Sequence, residues 1–455
     1  MSAILNTPST WQALVDQPER LGLARLMTLA FEGHDLMPIA QRLIERASSH
    51  AEDADTLMSL SIALQLRGLR DEGLAVQADA LRIQRLFQRP AASTASTGAA
   101  GAAPGLRLLA LMAPGDLMTN TPLDFLLERS DVCSSHLYLG LDESLPARLP
   151  AHDVLLVAIS ESDRTRPLLQ RLGVELAVRG LPVINRPDRI VQTGRTEAFR
   201  HLQGLPGVLM PATARLSLAD LKALARGDEA LARWLPGAAF PVIVRPVDSH
   251  AGQGLAKVSS PRALGIYLDE ALAGEFFVSR FVDYASADGA YRKYRVVLVD
   301  GVAYPGHMGI SSHWMIHYLN AGMTDSAAKR LEEAAFMSDF DIRFGRRHAG
   351  ALQAVGQAFG LEYLVIDCAE TRAGELLVFE LDPGAVIHAM DPPTLFPYKR
   401  PQMERVFAAF RRLLGSRADR VARAGHANIG HLSAWQELGP CPIQPLLRPT
   451  STPLR

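Results

Sequence analysis

At 455 residues the chain is long enough for two or three domains and for a sizeable buried core. Its 48% hydrophobic and 21% charged content reads as globular, and a formal net charge of −1 gives no global pull toward nucleic acid or an anionic membrane. Three cysteines far apart in sequence, Cys133, Cys368 and Cys441, form neither a disulfide framework nor a zinc pattern.

Met1 to Pro8 lack the basic and apolar regions of a signal peptide. No apolar run reaches the roughly 18 residues of a membrane-spanning helix. Together with the scattered thiols, this predicts a cytoplasmic protein that engages neither membrane nor nucleic acid.

Residues 1–89 read as a helical module. Leu21, Leu23, Leu26, Met27 and Leu29 recur at near-helical spacing, and Gly33 stops that helix. Further helices are predicted over 36–48, 55–66 and 71–87. The stretch from Leu57 to Ala75 resembles one tetratricopeptide repeat, with small residues Ala63, Gly68 and Ala78 at the close approaches; a plain helical bundle reads equally well. Residues 90–105, rich in Ala, Ser, Thr, Gly and Pro, form a low-complexity linker too poor in large apolar groups to fold.

Strands and helices then alternate over 106–186, which predicts a small parallel α/β domain. Its strands fall at 106–112, 135–139, 153–158 and 182–184, its helices at 122–128 and 164–178. Asn120 and Thr121 follow the first strand, where ligands of such sheets bind, although the same residues serve a turn before the Pro122 helix. A second α/β region runs over 187–415, with strands at 240–244, 254–258, 276–281, 294–299, 302–306, 363–368 and 375–381. Its helices are expected at 194–203, 217–226, 261–271, 327–337, 347–359 and 402–414. Residues 416–455 read as an irregular, proline-containing tail.

Asp367, Glu380 and Asp382 carry the sharpest chemical signal. Asp367 ends the apolar run beginning at Tyr363, and Glu380 and Asp382 end the run beginning at Leu376. A hairpin turning on Ala373-Gly374 sets Arg372 opposite Glu375 and, along the ladder, Asp367 opposite Glu380. Opposed side chains lie about 5 Å apart on one face, and the strand period of two puts Asp382 on the face of Glu380. Three carboxylates at one end of a buried sheet are costly without a counter-ion. Hard oxygen ligands suit Mg²⁺. A second signal is Phe240 to Pro246, an apolar strand delivering Arg245 to a small-residue loop that ends in Gly252-Gln253-Gly254. Such a loop cradles phosphate oxygens, but a glycine loop after a strand is often only a turn.

In this order and spacing, these pieces over residues 106–415 resemble the ATP-grasp superfamily, with a pre-grasp α/β domain before an α+β grasp fold. The resemblance implies that ATP and Mg²⁺ are cofactors. It aligns Arg195 and Arg245 with the family's two phosphate-binding lysines. Arg280, Phe281 and Val282 fall on the strand that bonds adenine, and Asp283 on its ribose contact. Arg295 matches the arginine that steadies the transferring phosphate, and Asp367, Glu380 and Asp382 match the metal ligands. The sequence departs from that pattern at Arg195 and Arg245, where lysine is usual, and at Asp382, where asparagine is usual. Residues 307–323 hold His307, His313 and His317 with two aromatic residues. They read as acceptor-substrate contacts, a structural insertion or, less regularly spaced, zinc ligands. This stretch also resembles proteobacterial proteins that join helical repeats to a glutathione-synthetase-like domain.

The resemblance implies a carbon–nitrogen ligase that activates a small-molecule or peptide carboxylate as an acyl phosphate and joins it to an amine. Two readings stay open: a nucleotide-binding scaffold whose helical module binds a peptide or protein partner, and a kinase that stops at phosphorylation.

Overall fold

The computed structural model describes residues 14–16, 18, 21–91, 105–247, 249, 252–271 and 274–428. Four helices lead: α1 (Gly22–Phe31), α2 (Met37–Ser49), α3 (Ala54–Leu66) and α4 (Arg70–Ile83). Pro38 sits in the first turn of α2, where its missing N–H costs nothing. The Asp53 carboxylate caps α3 by accepting from Thr56 N at 3.1 Å. Leu26, Leu29, Ile39, Leu43, Leu60 and Ala63 form the module's own core.

The fourth helix is shorter than the sequence predicts. Leu86–Arg89 is a strand, β1, that pairs antiparallel with β3 (Cys133–Tyr138). Beside β3 lie β2 (Arg107–Met112) and β4 (Val154–Val157), parallel as the βα alternation predicts, in the order β1-β3-β2-β4. The short helix α5 (Leu123–Leu126) and the longer α6 (Arg166–Val178) complete this unit. The segment at 182–184 contributes only an isolated bridge from Ile184 to Leu156. The helical module is therefore joined to the α/β body through a shared sheet, and the structure adds no support for a repeat array.

After α7 (Arg195–Leu202) comes a two-residue strand, β5 (Val208–Leu209), and then a second sheet of β6 (Thr213–Ser217), β7 (Val242–Pro246), β8 (Ala256–Val258) and β9 (Glu275–Arg280), in the order β6-β9-β7-β8. Neither β5 nor β6 was anticipated. Helices α8 (Leu218–Arg226) and α9 (Pro261–Asp269) cover this sheet, and Leu221, Leu264, Val242, Val244 and Val278 give it a core of its own.

The third sheet is built from β10 (Tyr291–Val299), β11 (Val302–Ser311), β12 (Tyr363–Glu370) and β13 (Leu376–Asp382), with β5 on its edge, in the order β11-β10-β12-β13-β5. Seven consecutive buried residues, Tyr363 to Ala369, make β12 a central strand covered on both faces. Helices α10 (Ala327–Ser338) and α11 (Ala349–Phe359) flank it, and Phe344–Arg347 adds a separate turn of helix just before α11. The last helix, α12 (Lys399–Asn428), runs straight through Gly415, where an irregular tail was expected. Its buried Val406, Phe410 and Leu413 share one core with Leu108 and Leu156 of the first sheet and Val297, Val365 and Tyr363 of the third. Residues 92–104 and 429–455, including most of the linker, the rest of the tail and Cys441, lie outside the described residues. Among the described residues no helix is long and apolar enough to cross a membrane.

Candidate active site

Four neighbouring strands of the third sheet bring charged side chains into one row. The ladder pairs His307 on β11 with Arg295 on β10, Arg295 with Asp367 on β12, and Asp367 with Glu380 on β13. The Asp367–Glu380 pairing agrees with the sequence, but the route to it differs. Thr371 N–H donates to Glu375 O at 3.0 Å, so the turn is the longer Arg372-Ala373-Gly374. Gly374 adopts φ 84°, the left-handed conformation such a three-residue loop requires. One extra residue at Phe379, a bulge between Asp367 and Cys368 on the facing strand, restores the register.

A second bulge lies beside Arg295, with Gly306 as the extra residue. A Cβ at Gly306 would sit 2.9 Å from Arg295 Cγ and 3.0 Å from Arg295 O, so glycine there lets β11 pass close to Arg295. Bulges redirect side chains near functional sites, and here two of them bracket the Arg295–Asp367 pair.

The carboxylates do not form a bare metal cage. Arg295 grips Asp367 in a two-point pair, Nε to Oδ1 at 2.7 Å and Nη2 to Oδ2 at 3.0 Å, and donates from Nη1 to Val386 O at 3.1 Å. Lys293 Nζ lies 2.7 Å from Asp367 Oδ2. Arg195, at the start of α7, donates to Glu380 Oε1 at 2.7 Å and to Phe379 O at 3.3 Å. Asp382 accepts from Gly384 N at 2.7 Å. Among the described residues no three His, Cys, Asp or Glu side chains are placed to hold a metal ion. Crowded carboxylates repel, and each has turned to the nearest cation or backbone N–H instead.

The charges tune one another. Burial opposes ionisation of Asp367, but Arg295 and Lys293 outweigh it and hold the carboxyl well below the usual carboxylate range. Among the described residues no cation is bonded to Asp382, and burial together with Glu380 pushes it up to about 6. Burial and the neighbouring Arg195 lower Arg245 to about 10. Four cations, Arg195, Arg245, Lys293 and Arg295, are thus grouped with three acids.

Arg245 ends β7 and donates from Nε to Ser249 Oγ at 3.1 Å and also to Ser249 O, which ties it to the glycine loop. Gly252 and Gly254 have φ of 79° and 66°; residues 248, 250 and 251 lie outside the described residues. At the end of β9, Arg280 is exposed. Phe281 N–H donates to Pro241 O at 3.3 Å, so that group is not free for an adenine edge. The Phe281 ring carries Lys257 Nζ 3.6 Å from its centroid and meets Trp314 edge-on at 5.9 Å. Val282 packs beside Tyr284, and Asp283 accepts from Ala285 N at 3.1 Å with Arg372 at 3.8 Å.

The three histidines separate. His307 lies in β11 rather than in a loop, its ring 4.5 Å from Tyr318, and burial with the nearby Arg295 and Lys399 keeps it neutral. His317 feels Lys293 and Arg295 and is also lowered, chiefly by burial. His313 is exposed, accepts from Met315 N at 3.3 Å and lies against Trp314. The zinc reading finds no such cluster among the described residues. Asn120 gives both ends of its amide to Ala113, Nδ2 to O at 2.8 Å and Oδ1 from N at 2.9 Å. These bonds hold the turn before Pro122, the alternative that the sequence also offered.

Sequence reasoning missed Lys293. The signal was there: it is two residues before Arg295 on a strand, hence on the same face. It also missed the sealed cluster behind His307. There Lys399 Nζ lies 3.1 Å from Asp391 Oδ1 and 3.5 Å from Glu333 Oε1, while Tyr398 and Tyr318 donate to Glu333 Oε2 at 2.7 and 3.1 Å.

No family model matches the chain. Similar solved structures include the D-alanine–D-alanine ligase of Bacillus anthracis complexed with ATP, at 13% identity, covering 70% of this chain and 99% of that one with a TM-score of 0.39. The D-alanine–D-alanine ligase of Coxiella burnetii gives 11%, 71%, 99% and 0.42. A RimK-domain ATP-grasp protein of Sphaerobacter thermophilus gives 15%, 68%, 99% and 0.36. At such scores the likeness carries no weight for chemistry, which rests on the side chains of the charged row.

Proposed function

We propose that the chain is an ATP-grasp carbon–nitrogen ligase, using ATP and Mg²⁺ to join a small-molecule or peptide carboxylate to an amine. The observation that carries this reading is the row His307–Arg295–Asp367–Glu380, with Lys293, Arg195 and Arg245 around it. An excess of cations over acids, with Glu380 and Arg195 still partly exposed, suits a polyphosphate. The acids, all oxygen donors at the ends of adjacent strands, suit a hard divalent cation once the nucleotide draws the arginines and Lys293 away.

Asp367, Glu380 and Asp382 would hold Mg²⁺, which when bound shields the negative charge of the phosphates. Arg195, Arg245, Lys293 and Arg295 bind phosphate oxygens and stabilise charge as the terminal phosphoryl group moves. A substrate carboxylate oxygen attacks the γ-phosphorus and ADP leaves. The amine then attacks the acyl carbon, loses its proton, and expels inorganic phosphate. The Ser249–Gly254 loop, tied to Arg245 and within reach of Met315, keeps water from the intermediate; Met315 Sδ lies 3.5 Å from where a Cβ on Gly252 would stand.

The test is ADP release from Mg·ATP across a panel of amino acids and short peptides, with product mass recorded. Ligation joins acid to amine with loss of water, whereas a kinase product carries phosphate. Asp367→Ala abolishes turnover on this account; turnover that survives it sinks the assignment.

A further inference from the structure

A second polar site lies away from the charged row, where the helical module meets the first sheet. The seam is held by specific bonds. Gln77 exchanges two hydrogen bonds with Gly115, both at 2.8 Å, Arg70 pairs with Asp116 at 3.0 Å, and Leu23 N–H donates to Asp124 Oδ2 at 2.8 Å. Between these ties is a cavity of about 70 Å³, lined among others by Gln65, Arg89, Asp124, His136, Met58 and Ile62. It sits beyond the carboxyl end of β2, the edge where parallel sheets bind ligands.

Its walls carry chemistry that the fold leaves incomplete. Gln65 Nε2 donates to Ser61 Oγ at 3.1 Å, but its Oε1 is buried and accepts from nothing among the described residues. Buried acceptors are normally satisfied. Asp124 gives one oxygen to Leu23, and the other has no protein donor among the described residues. Arg89 makes one long contact to Asp55, at 3.3 Å, and keeps further N–H groups. Asp124 and Arg89 both act electrostatically on the buried His136, which lines the same cavity. Asp124, the Arg89 cation and one unmet carbonyl acceptor thus line a cavity whose second acid, Asp116, is already paired with Arg70, and whose walls include the apolar Met58 and Ile62.

We propose that this cavity binds a small α-amino acid zwitterion, its carboxylate on Arg89 and its ammonium between Asp124 and Gln65 Oε1. Size limits the choice. A water occupies roughly 10–15 Å³ of such volume, so the cavity takes a ligand of about five or six heavy atoms, glycine or alanine. The helical module supplies Gln65, Met58, Ile62 and Arg89, so it is a wall of the site rather than an appended partner-binding arm.

The experiment is calorimetric titration of the full chain, without nucleotide or metal, with glycine, each enantiomer of alanine, leucine and neutral acetamide. Glycine or alanine is expected to bind; leucine fails on size and acetamide on charge. Asp124→Asn keeps an acceptor for Leu23 N–H but loses the charge, and Gln65→Leu keeps the volume but loses the acceptor. Each is expected to weaken binding about tenfold or more. Glu380→Gln, in the charged row, leaves binding unchanged. The proposal is overturned if neither glycine nor alanine binds at tens of millimolar. It is equally overturned if Glu380→Gln removes binding while Asp124→Asn and Gln65→Leu do not. Because no ATP is present, its failure leaves the ligase reading intact, and failure of that reading leaves this one intact.

Discussion

Two clusters of charge, one on the strands of the third sheet and one on α10, α12 and the loops beside them, are built on opposite principles. In the row, Glu380 and Arg195 keep 44% and 22% of their side-chain surface, and cations outnumber acids. Behind it, Lys399 and Glu333 keep 4% and 0%, and every group answers another within the cluster. A sealed, self-satisfied cluster holds structure. An open one with surplus cations has bonds that an incoming polyanion can exchange. Function is to be sought where ion pairs are breakable, and stability where they are not.

The largest expected effect breaks the sealed cluster. Glu333→Ala leaves Lys399 facing Asp391 alone and removes the acceptor of two tyrosines. A loss of roughly 3–5 kcal/mol is predicted, measured by urea unfolding. A loss under about 1 kcal/mol, the range of surface pairs, would erase the distinction between the clusters.

Next comes the bulge that shapes the open row. In Gly306→Ala the new methyl meets Arg295, and the strand must shift at a cost of about 1–3 kcal/mol. Turnover should fall more steeply than stability, because Arg295 moves; an equal fall in both would make Gly306 a packing residue only.

The smallest effect concerns pH. His136 and His388 are each lowered to about 4, chiefly by burial. Their unfolded forms titrate near 6.5. Between those values the unfolded chain binds the extra protons. The share of stability that these two histidines contribute is therefore complete above pH 6.5, falls as pH drops toward 4, and levels off below. Unfolding midpoints across this window check it, and His388→Asn should flatten part of the slope.

What the sequence made legible follows from how local each signal is. The Asp367–Glu380 pairing was readable because apolar runs and the period of two define faces without tertiary knowledge. The hairpin's turn was misjudged by one residue, yet the Phe379 bulge absorbed the error and kept the acids opposed. Lys293 was as readable as Arg295 and was passed over. The strand Leu86–Arg89 was not readable, since four residues at a sheet edge continue a helical pattern without interruption. The pairing of Glu380 with its cation was also out of reach. It depends on Arg195 arriving from a helix 185 residues away in sequence. Asn120 stayed ambiguous in sequence, since a position beyond a strand suits ligand and turn alike; in the structure its amide bonds Ala113.

The central claim is that the row exchanges its internal ion pairs for nucleotide phosphates. Calorimetric titration of Mg·ATP into the wild type and Lys293→Met tests it most directly. The account predicts saturable, salt-sensitive binding that Lys293→Met weakens about tenfold or more. Absence of nucleotide binding, or binding indifferent to the loss of Lys293, would contradict it.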